Sequence, residues 1–314
     1  MSAKAFFSTF TLVLLSIAII AGCSGSTDTF TGRWDMAVHD PAGEFPSWFE
    51  ITEADDGSVS GQFVGHFGSA RPIDMIRIKD NSLYFSLPPQ YEGQDVDLEF
   101  SGTLADGKIT GETNLPNGEK AKFTAVQAPA LESAGMPEWG ESIDLLAGDG
   151  MGNWELKFPG GTNGWDIVDA VLVNTPPSTD IKTKAQFTDF KLHIEFNIPE
   201  HSNSGIYLRG RYEVQVEDTY GQEPESHKCG GVYGFIDPSS MAVNPAGEWN
   251  VADITFVGRT VTLVLNGQKV IDGIEIPGIT GGAINSNEAD PGPLMIQGDH
   301  GAIQYRNVVV TPAK

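Results

Sequence analysis

The chain has little cysteine, few basic residues and, in its second half, no sustained helical period. Its two cysteines, Cys23 and Cys229, stand far apart in 314 residues. Cys23 sits at the end of an export segment, so Cys229 is left alone and no disulfide framework is available. The core must then hold by packing, which a mature chain of about 290 residues permits as one large or two ordinary domains. Lys and Arg number 19 against 42 Asp and Glu, a formal net charge of −23. That balance argues against nucleic acid and against anionic membrane surfaces as partners. The carboxylates are scattered, so their excess does not itself imply a metal. A Gly-rich dinucleotide fingerprint is also missing, which argues against a bound nicotinamide or flavin dinucleotide.

One long apolar run is present, at the start. Lys4 supplies a positive end, residues 5–21 are almost wholly apolar, and Ile20-Ala21-Gly22-Cys23 follows. Small residues before a cleavage point mark an export signal rather than a spanning helix. The run ending at a cysteine resembles the bacterial lipoprotein signal, which implies that Cys23 becomes the lipid-modified first residue. Each buried methylene of such a lipid contributes roughly 0.8 kcal/mol to anchoring. The expectation is a signal over residues 1–22, a polar tether over 23–29, and an exported lipoprotein of the outer membrane facing the periplasm.

Residues 30–127 read as about eight short strands linked by tight turns. Asp56-Gly57, Asp106-Gly107 and Asn117-Gly118 supply the positive φ that two-residue hairpins need. The pattern predicts a small antiparallel meander closing into a barrel, which leaves no strand edge exposed. Trp34, Trp48, Phe49, Phe63 and Phe67 are expected in its core, and His39 and His66 read as structural or solvent-facing. Residues 128–152 carry Pro129, Pro137 and several glycines and read as a linker, with Trp139, Leu145 and Leu146 costly to expose. Residues 153–314 again read as strands. Phe190, Leu192, Ile194 and Phe196 alternate with Lys191, His193, Glu195 and Asn197, and Asn266-Gly267 joins two alternating runs. The prediction is an all-β chain: a small N-terminal barrel followed by a concanavalin-like jelly-roll sandwich.

Residues 203–218, NSGIYLRGRYEVQVED, place charge inside a strand pattern. Ile206, Leu208, Val214 and Val216 alternate with Tyr207, Arg209, Glu213, Gln215 and Glu217. Gly210 breaks the run, and a turn there would bring Arg209 beside Glu213. Two readings stay open: a solvated outer face with an ion pair, or a strip of a curved sheet that faces a ligand. Cys229 lacks the positive, exposed surroundings that a nucleophile needs.

FKLHIEF at 190–196, NSGIYLR at 203–209, YEVQ at 212–215, GEWN at 247–250, LNG at 265–267, GP at 292–293, QGDHG at 297–301 and YRN at 305–307 occur in that order. Together they resemble the 3-keto-disaccharide hydrolase domain family, also described as 3-keto-glucoside 1,2-lyase and 3-keto-2-hydroxy-glucal hydratase, over about residues 165–311. The resemblance implies an enzyme that cleaves 3-keto-glycosides by elimination and hydration. A ketone acidifies the neighbouring C–H, so the site needs a base or acid, a positive group for the enolate oxygen and a proton source for the leaving oxygen. The residues that fit are His300, Glu213 and Arg209 as catalytic groups. Asn203, Gln215 and Gln297 would fix hydroxyls, Tyr207 or Trp249 would stack on a sugar face, and Asp299 would orient His300 or bind ligand. The implied partner is a 3-keto sugar or another glycan, and a sugar 3-dehydrogenase must act upstream. No cofactor is assigned. A divalent metal stays open, because Glu213, Asp218, His227 and His300 could converge but hold no short fixed spacing. The rival reading is a non-catalytic carbohydrate-binding lipoprotein on the same lectin-like sandwich.

Overall fold

The computed structural model describes residues 29–41, 43–115, 117–131, 135–148 and 150–314. The signal at residues 1–22, the lipidation site Cys23 and tether residues 24–28 lie outside the described residues. Among those described, no helix is long and apolar enough to cross a membrane.

The first nine strands are Gly32–Asp40 (β1), Gly43–Glu53 (β2), Val59–Val64 (β3), Arg71–Pro72 (β4), Met75–Lys79 (β5), Ser82–Leu87 (β6), Leu98–Ala105 (β7), Lys108–Asn114 (β8) and Lys120–Gln127 (β9). They form one sheet in the order β4-β3-β2-β1-β9-β8-β7-β6-β5. The two ends of that order are one bent length of chain. β4 pairs with β3 and β5 with β6. Between them Ile73 N donates to Gly61 O at 2.9 Å and Asp74 N to Ser86 O at 3.1 Å. The sheet thus closes on itself as the expected meander barrel. The Asp-Gly turn from β7 to β8 works as its chemistry predicts, with φ of 52° at Asp106 and 74° at Gly107.

Alternate residues of each barrel strand point inward. Trp34, Met36, Val38, Phe49, Phe63, Phe85, Phe100 and Phe123 form a buried aromatic and aliphatic core. Phe85 and Phe100 stack with ring centroids 4.5 Å apart. Trp34, Phe49 and Phe63 are core residues as expected, but two aromatics depart from that expectation. Trp48 faces outward and enters the core of the second half of the chain, where its Nε1 donates to Ile279 O at 2.8 Å. Phe67 is 59 % exposed, because it sits on the turn after β3 rather than on a strand.

The remaining strands are Ile143–Asp144 (β10), Trp154–Leu156 (β11), Trp165–Val168 (β12), Val171–Asn174 (β13), Ile181–Thr183 (β14), Phe190–Asn197 (β15), Asn203–Leu208 (β16), Tyr212–Glu217 (β17), Trp249–Val257 (β18), Thr260–Leu265 (β19), Gln268–Glu275 (β20), Met295–Ile296 (β21) and Ile303–Pro312 (β22). They make two sheets, β12-β13-β22-β15-β18-β19-β20 with β10 added beside β22, and β11-β14-β21-β16-β17. The sheets face each other as a jelly-roll sandwich. Phe190, Leu192, Ile194 and Phe196 of β15 and Ile206 and Leu208 of β16 point into the shared core. Each such side chain contributes roughly 1.5–3 kcal/mol by leaving water. The segment expected to be a linker is partly built into this sandwich: Trp139 bridges to Ala313, β10 pairs with β22, and Leu145 is in the core.

Barrel and sandwich are tied by a buried polar cluster. Arg33 of β1 pairs with Glu288 and donates to Pro277 O. Tyr212 donates to the same Glu288 at 2.6 Å, and Arg259 lies 3.6 Å from it. Ser286 donates to Met36 O at 3.0 Å. These contacts hold the barrel against the turns that flank the shorter sheet.

Candidate active site

The shorter sheet carries the polar strip. In the β16–β17 register Tyr207 lies opposite Glu213, Gly205 opposite Gln215 and Asn203 opposite Glu217. These six share the outer face, because their neighbours Ile206, Leu208, Val214 and Val216 go to the core. Gln297 joins the strip just beyond β21, where its N–H donates to Gly205 O at 3.0 Å.

Glu213 is the centre of the strip. It is 4 % exposed. Tyr207 Oη donates to its Oε2 at 2.9 Å. Gly205 provides its seat, since a Cβ at that position would run into Glu213 Oε1. Burial pushes the Glu213 carboxyl up to about 8, against the lowering effect of Tyr207, His300 and Lys157, while Asp180 adds to the rise. At pH 7 this is a neutral carboxylic acid, able to donate a proton. Tyr207 is 3 % exposed, and its Oη also lies 3.2 Å from Gly281 O. Its single O–H goes to the shorter of the two contacts, Glu213, so Tyr207 fixes Glu213 and has no open face on which a sugar could stack. Trp249, the other stacking candidate, is on the longer sheet with Arg306 4.0 Å above its ring.

Three further groups act on Glu213. His300 and Asp299 stand at the rim, about half exposed, joined by an Nδ1–Oδ1 contact of 2.5 Å. The hydrogen bond to Asp299 raises the His300 pKa, and the same bond lowers that of Asp299. Lys157 and Asp180 lie on the other flank. The Lys157 ammonium donates to Asp180 Oδ2 at 3.1 Å and to Gly282 O at 2.9 Å, and Asp180 Oδ1 accepts Gly298 N–H at 3.0 Å. Neither residue falls in a readable strand pattern: Lys157 follows the three-residue β11 and Asp180 precedes the equally short β14.

Arg209 does not belong to this group. It sits on the β16–β17 turn itself with φ of 51°, so the alternation that places Tyr207 outward does not carry through to it. Its side chain is 3 % exposed, donates to Gly258 O at 2.7 Å and packs 5.0 Å from the Phe256 ring centroid. That is the core side of the sheet, opposite to Glu213, and the expected pairing of Arg209 with Glu213 is not formed. Among the expected hydroxyl-binding residues, Asn203 Oδ1 and Gln297 Oε1 are buried without a partner. Gln215 Oε1 accepts Val216 N–H at 3.0 Å. Buried polar atoms are nearly always bonded, so the two unpartnered amide oxygens beside Gly205 mark where a bound group would complete the set.

The four residues weighed for a metal do not converge. Asp218 accepts His201 N–H at 2.9 Å and His227 contacts Glu225 at 3.1 Å. Among the described residues, no group of three or more His, Cys, Asp and Glu side chains has a geometry that could hold a metal ion. Cys229 is buried, and burial pushes its thiol up to about 12, so it carries no thiolate near neutral pH.

The barrel reaches this site too. His66, on the turn after β3, accepts Gly282 N–H through its carbonyl at 2.9 Å, and a Cβ at Gly282 would meet Tyr207 Oη. Burial, and after it the Lys157 charge, push the His66 pKa down. Tyr91, on the turn between β6 and β7, interacts with Tyr233, whose N–H donates to Glu213 O at 3.0 Å.

The polar face of the shorter sheet falls inside a family match that makes the sandwich a carbohydrate-active domain of the glycosyl-hydrolase-like kind. The chain belongs to the 3-keto-alpha-glucoside-1,2-lyase-like domain family, whose model matches residues 139–311. That range starts at Trp139, in the segment that pairs with β22. No curated protein matches the chain. Solved structures similar to it include a glycosyl hydrolase candidate from Parabacteroides distasonis, 30 % identical, covering 55 % of this chain and 83 % of its own, with a TM-score of 0.48. A second such protein from the same organism is 23 % identical over 55 % of this chain and 94 % of its own, TM-score 0.44. A carbohydrate-binding module from Bacillus subtilis is 12 % identical over 51 % of this chain and 95 % of its own, TM-score 0.37.

Proposed function

We propose that the protein is a lipid-anchored enzyme that cleaves 3-keto-glycosides by elimination followed by hydration. The observation that carries this reading is Glu213: a carboxyl held uncharged at neutral pH, flanked by a histidine and a lysine, on the face that the family match covers.

In the first step a base takes the proton from C2, next to the C3 ketone. The electron pair moves to the ketone oxygen as an enolate. The enolate then expels the aglycone oxygen from C1, and that oxygen takes up a proton. In the second step the oxygen of water adds to C1 and a proton returns to C2. The sum is hydrolysis of one glycosidic bond with one water consumed and no net redox change.

His300 in its neutral form is the base, and Asp299 stabilises the imidazolium that results. Glu213, protonated, supplies the proton to the leaving oxygen. The Lys157 ammonium takes the place expected of Arg209 as the positive group nearest the enolate oxygen. Asn203 and Gln297 accept from sugar hydroxyls. The 3-keto substrate needs a sugar 3-dehydrogenase upstream, because the family chemistry starts from a ketone already in the ring. Export and anchoring at Cys23 would keep this chemistry at the outer membrane, on its periplasmic side.

Incubation with a 3-keto-glucoside tests the reading. The expected result is release of the aglycone, slowed at least tenfold in His300→Ala with the fold intact. Full turnover in His300→Ala would remove that residue from the mechanism. Saturable binding of an unoxidised glycan with no turnover of the keto sugar would instead make the protein a lectin.

A further inference from the structure

The barrel contains a cavity of about 510 Å³ that the cleavage chemistry does not use. Its walls include Phe45, Phe63, Leu98, Phe100 and Leu115 from the barrel interior. That volume is in the usual range for a pocket that encloses a small organic molecule. Three acids line the walls, each with a partner: Glu44 pairs with His39 at 3.1 Å, Glu92 pairs with Arg71, and Asp40 accepts Gly43 N–H at 2.9 Å.

Three cavity-lining residues hold a buried polar atom with no hydrogen-bond partner among the described residues: Thr113 Oγ1, His66 Nδ1 and Gln94 Oε1. Thr113 is 4 % exposed. A hydroxyl in an apolar wall with nothing to bond is costly, and a ligand hydroxyl would relieve that cost.

The cavity lining adjoins segments that carry the catalytic face. Phe158 is the sandwich residue in its lining, and it follows Lys157, which is hydrogen-bonded to Asp180. His66 and Tyr91 are the barrel's contacts with the Gly282–Tyr207 and Tyr233–Glu213 segments, and both line the cavity. Phe67, Tyr91 and Phe158 are each more than half exposed there, three aromatic rings gathered on one lining.

We infer that the barrel is the aglycone subsite: the glycosidic leaving group extends from the sandwich, past the Phe67–Tyr91–Phe158 rim, into the barrel cavity. This rests on the elimination reading for the sugar half and extends it to the other half of the substrate. The chemistry of the wall selects an uncharged aromatic aglycone carrying a hydroxyl at its far end. Aromatic walls favour planar rings, Thr113 and His66 favour a hydroxyl, and a net charge of −23 disfavours an anionic aglycone.

The test uses the full protein and two 3-keto-glucosides, one of methanol and one of 2,6-dihydroxynaphthalene. The naphthyl substrate should exceed the methyl one at least tenfold in kcat/KM. That ratio should fall at least fivefold in Phe67→Ala/Tyr91→Ala, whose side chains are exposed and whose loss leaves the barrel folded. Free 2,6-dihydroxynaphthalene should bind saturably by its own fluorescence, at least fivefold more weakly in Thr113→Val, while naphthalene binding is unchanged by that substitution. A ratio near one, or a ratio that both rim substitutions leave intact, overturns the proposal. If neither glucoside turns over, the elimination reading fails and the equilibrium measurement still decides the cavity. Absence of saturable binding, or binding of a saturated fatty acid in place of the naphthalenediol, overturns the subsite.

Discussion

Glu288, in the polar cluster between barrel and sandwich, and Glu213, on β17, are 0 % and 4 % exposed, and their surroundings are opposite. Glu288 has Arg33 and Arg259 beside it and accepts from Tyr212 at 2.6 Å. Among the described residues Glu213 has no arginine partner; it accepts from Tyr207 and is pushed up to about 8. A buried carboxylate ringed by guanidinium groups holds two parts of a chain together. A buried carboxyl denied such partners stays uncharged at a cost that stability alone does not justify, which is why it reads as a working acid.

The contrast can be broken by substituting each glutamate. Glu213→Gln should lower kcat/KM on a 3-keto-glucoside by about 10²- to 10³-fold, as loss of a general acid does, with Tm unchanged or slightly raised. Glu288→Gln should do the reverse: it leaves Arg33 and Arg259 without their shared anion and costs roughly 3–5 kcal/mol of stability, read by urea unfolding, while enzyme that remains folded keeps its rate. If Glu288→Gln abolished turnover without loss of stability, the division of roles would be wrong.

Gly205→Ala sharpens the comparison with a smaller effect. The new methyl would occupy the space of Glu213 Oε1, and moving the acid by about an ångström typically costs up to 10²-fold in rate. Circular dichroism should show an intact sandwich, and kcat should fall more than KM rises.

The pH dependence follows from the same two surroundings. His300 must be neutral to accept a proton and its pKa is raised by Asp299, so the rate should climb with pH as His300 loses its proton, with that rise shifted upward from an ordinary histidine. Glu213 must be protonated, so the rate should fall through about 8. The resulting bell should lose its alkaline limb in Glu213→Gln. The smallest effect belongs to Asp35 at the barrel interface, where burial and then Glu288 push the carboxyl up to about 7. A raised carboxyl stabilises the fold below the unfolded value and loses that contribution as pH rises through its folded value. Asp35→Asn should therefore raise Tm at pH 8 by a few degrees, on the order of 1 kcal/mol, and make little difference at pH 4.

Much of the fold was legible because strand alternation and turn chemistry are local. Asp106-Gly107 and Asn266-Gly267 adopt the positive φ that their residue types predict, and Phe190 to Phe196 alternate into the core as written. The site was legible where it lies on strands: Tyr207, Glu213 and Gln215 share a face because period two places them there. It was not legible where the chain turns. Arg209 has left-handed backbone, which cancels the parity argument and sends its side chain to Phe256. Lys157 and Asp180 stand beside strands of three residues, too short to declare a face. Phe67 reads as core by composition yet is exposed on a turn. No sequence signal brings its neighbour His66 to Gly282, because that contact depends on how two separate sheets dock.

The most direct measurement is aglycone release by the full protein from a 3-keto-glucoside and from the same glucoside unoxidised. The account predicts release from the keto sugar alone, and loss of at least 99 % of that rate in Glu213→Gln, the general-acid loss of about 10²-fold. Equal release from both sugars, or an undiminished rate in Glu213→Gln, would contradict it.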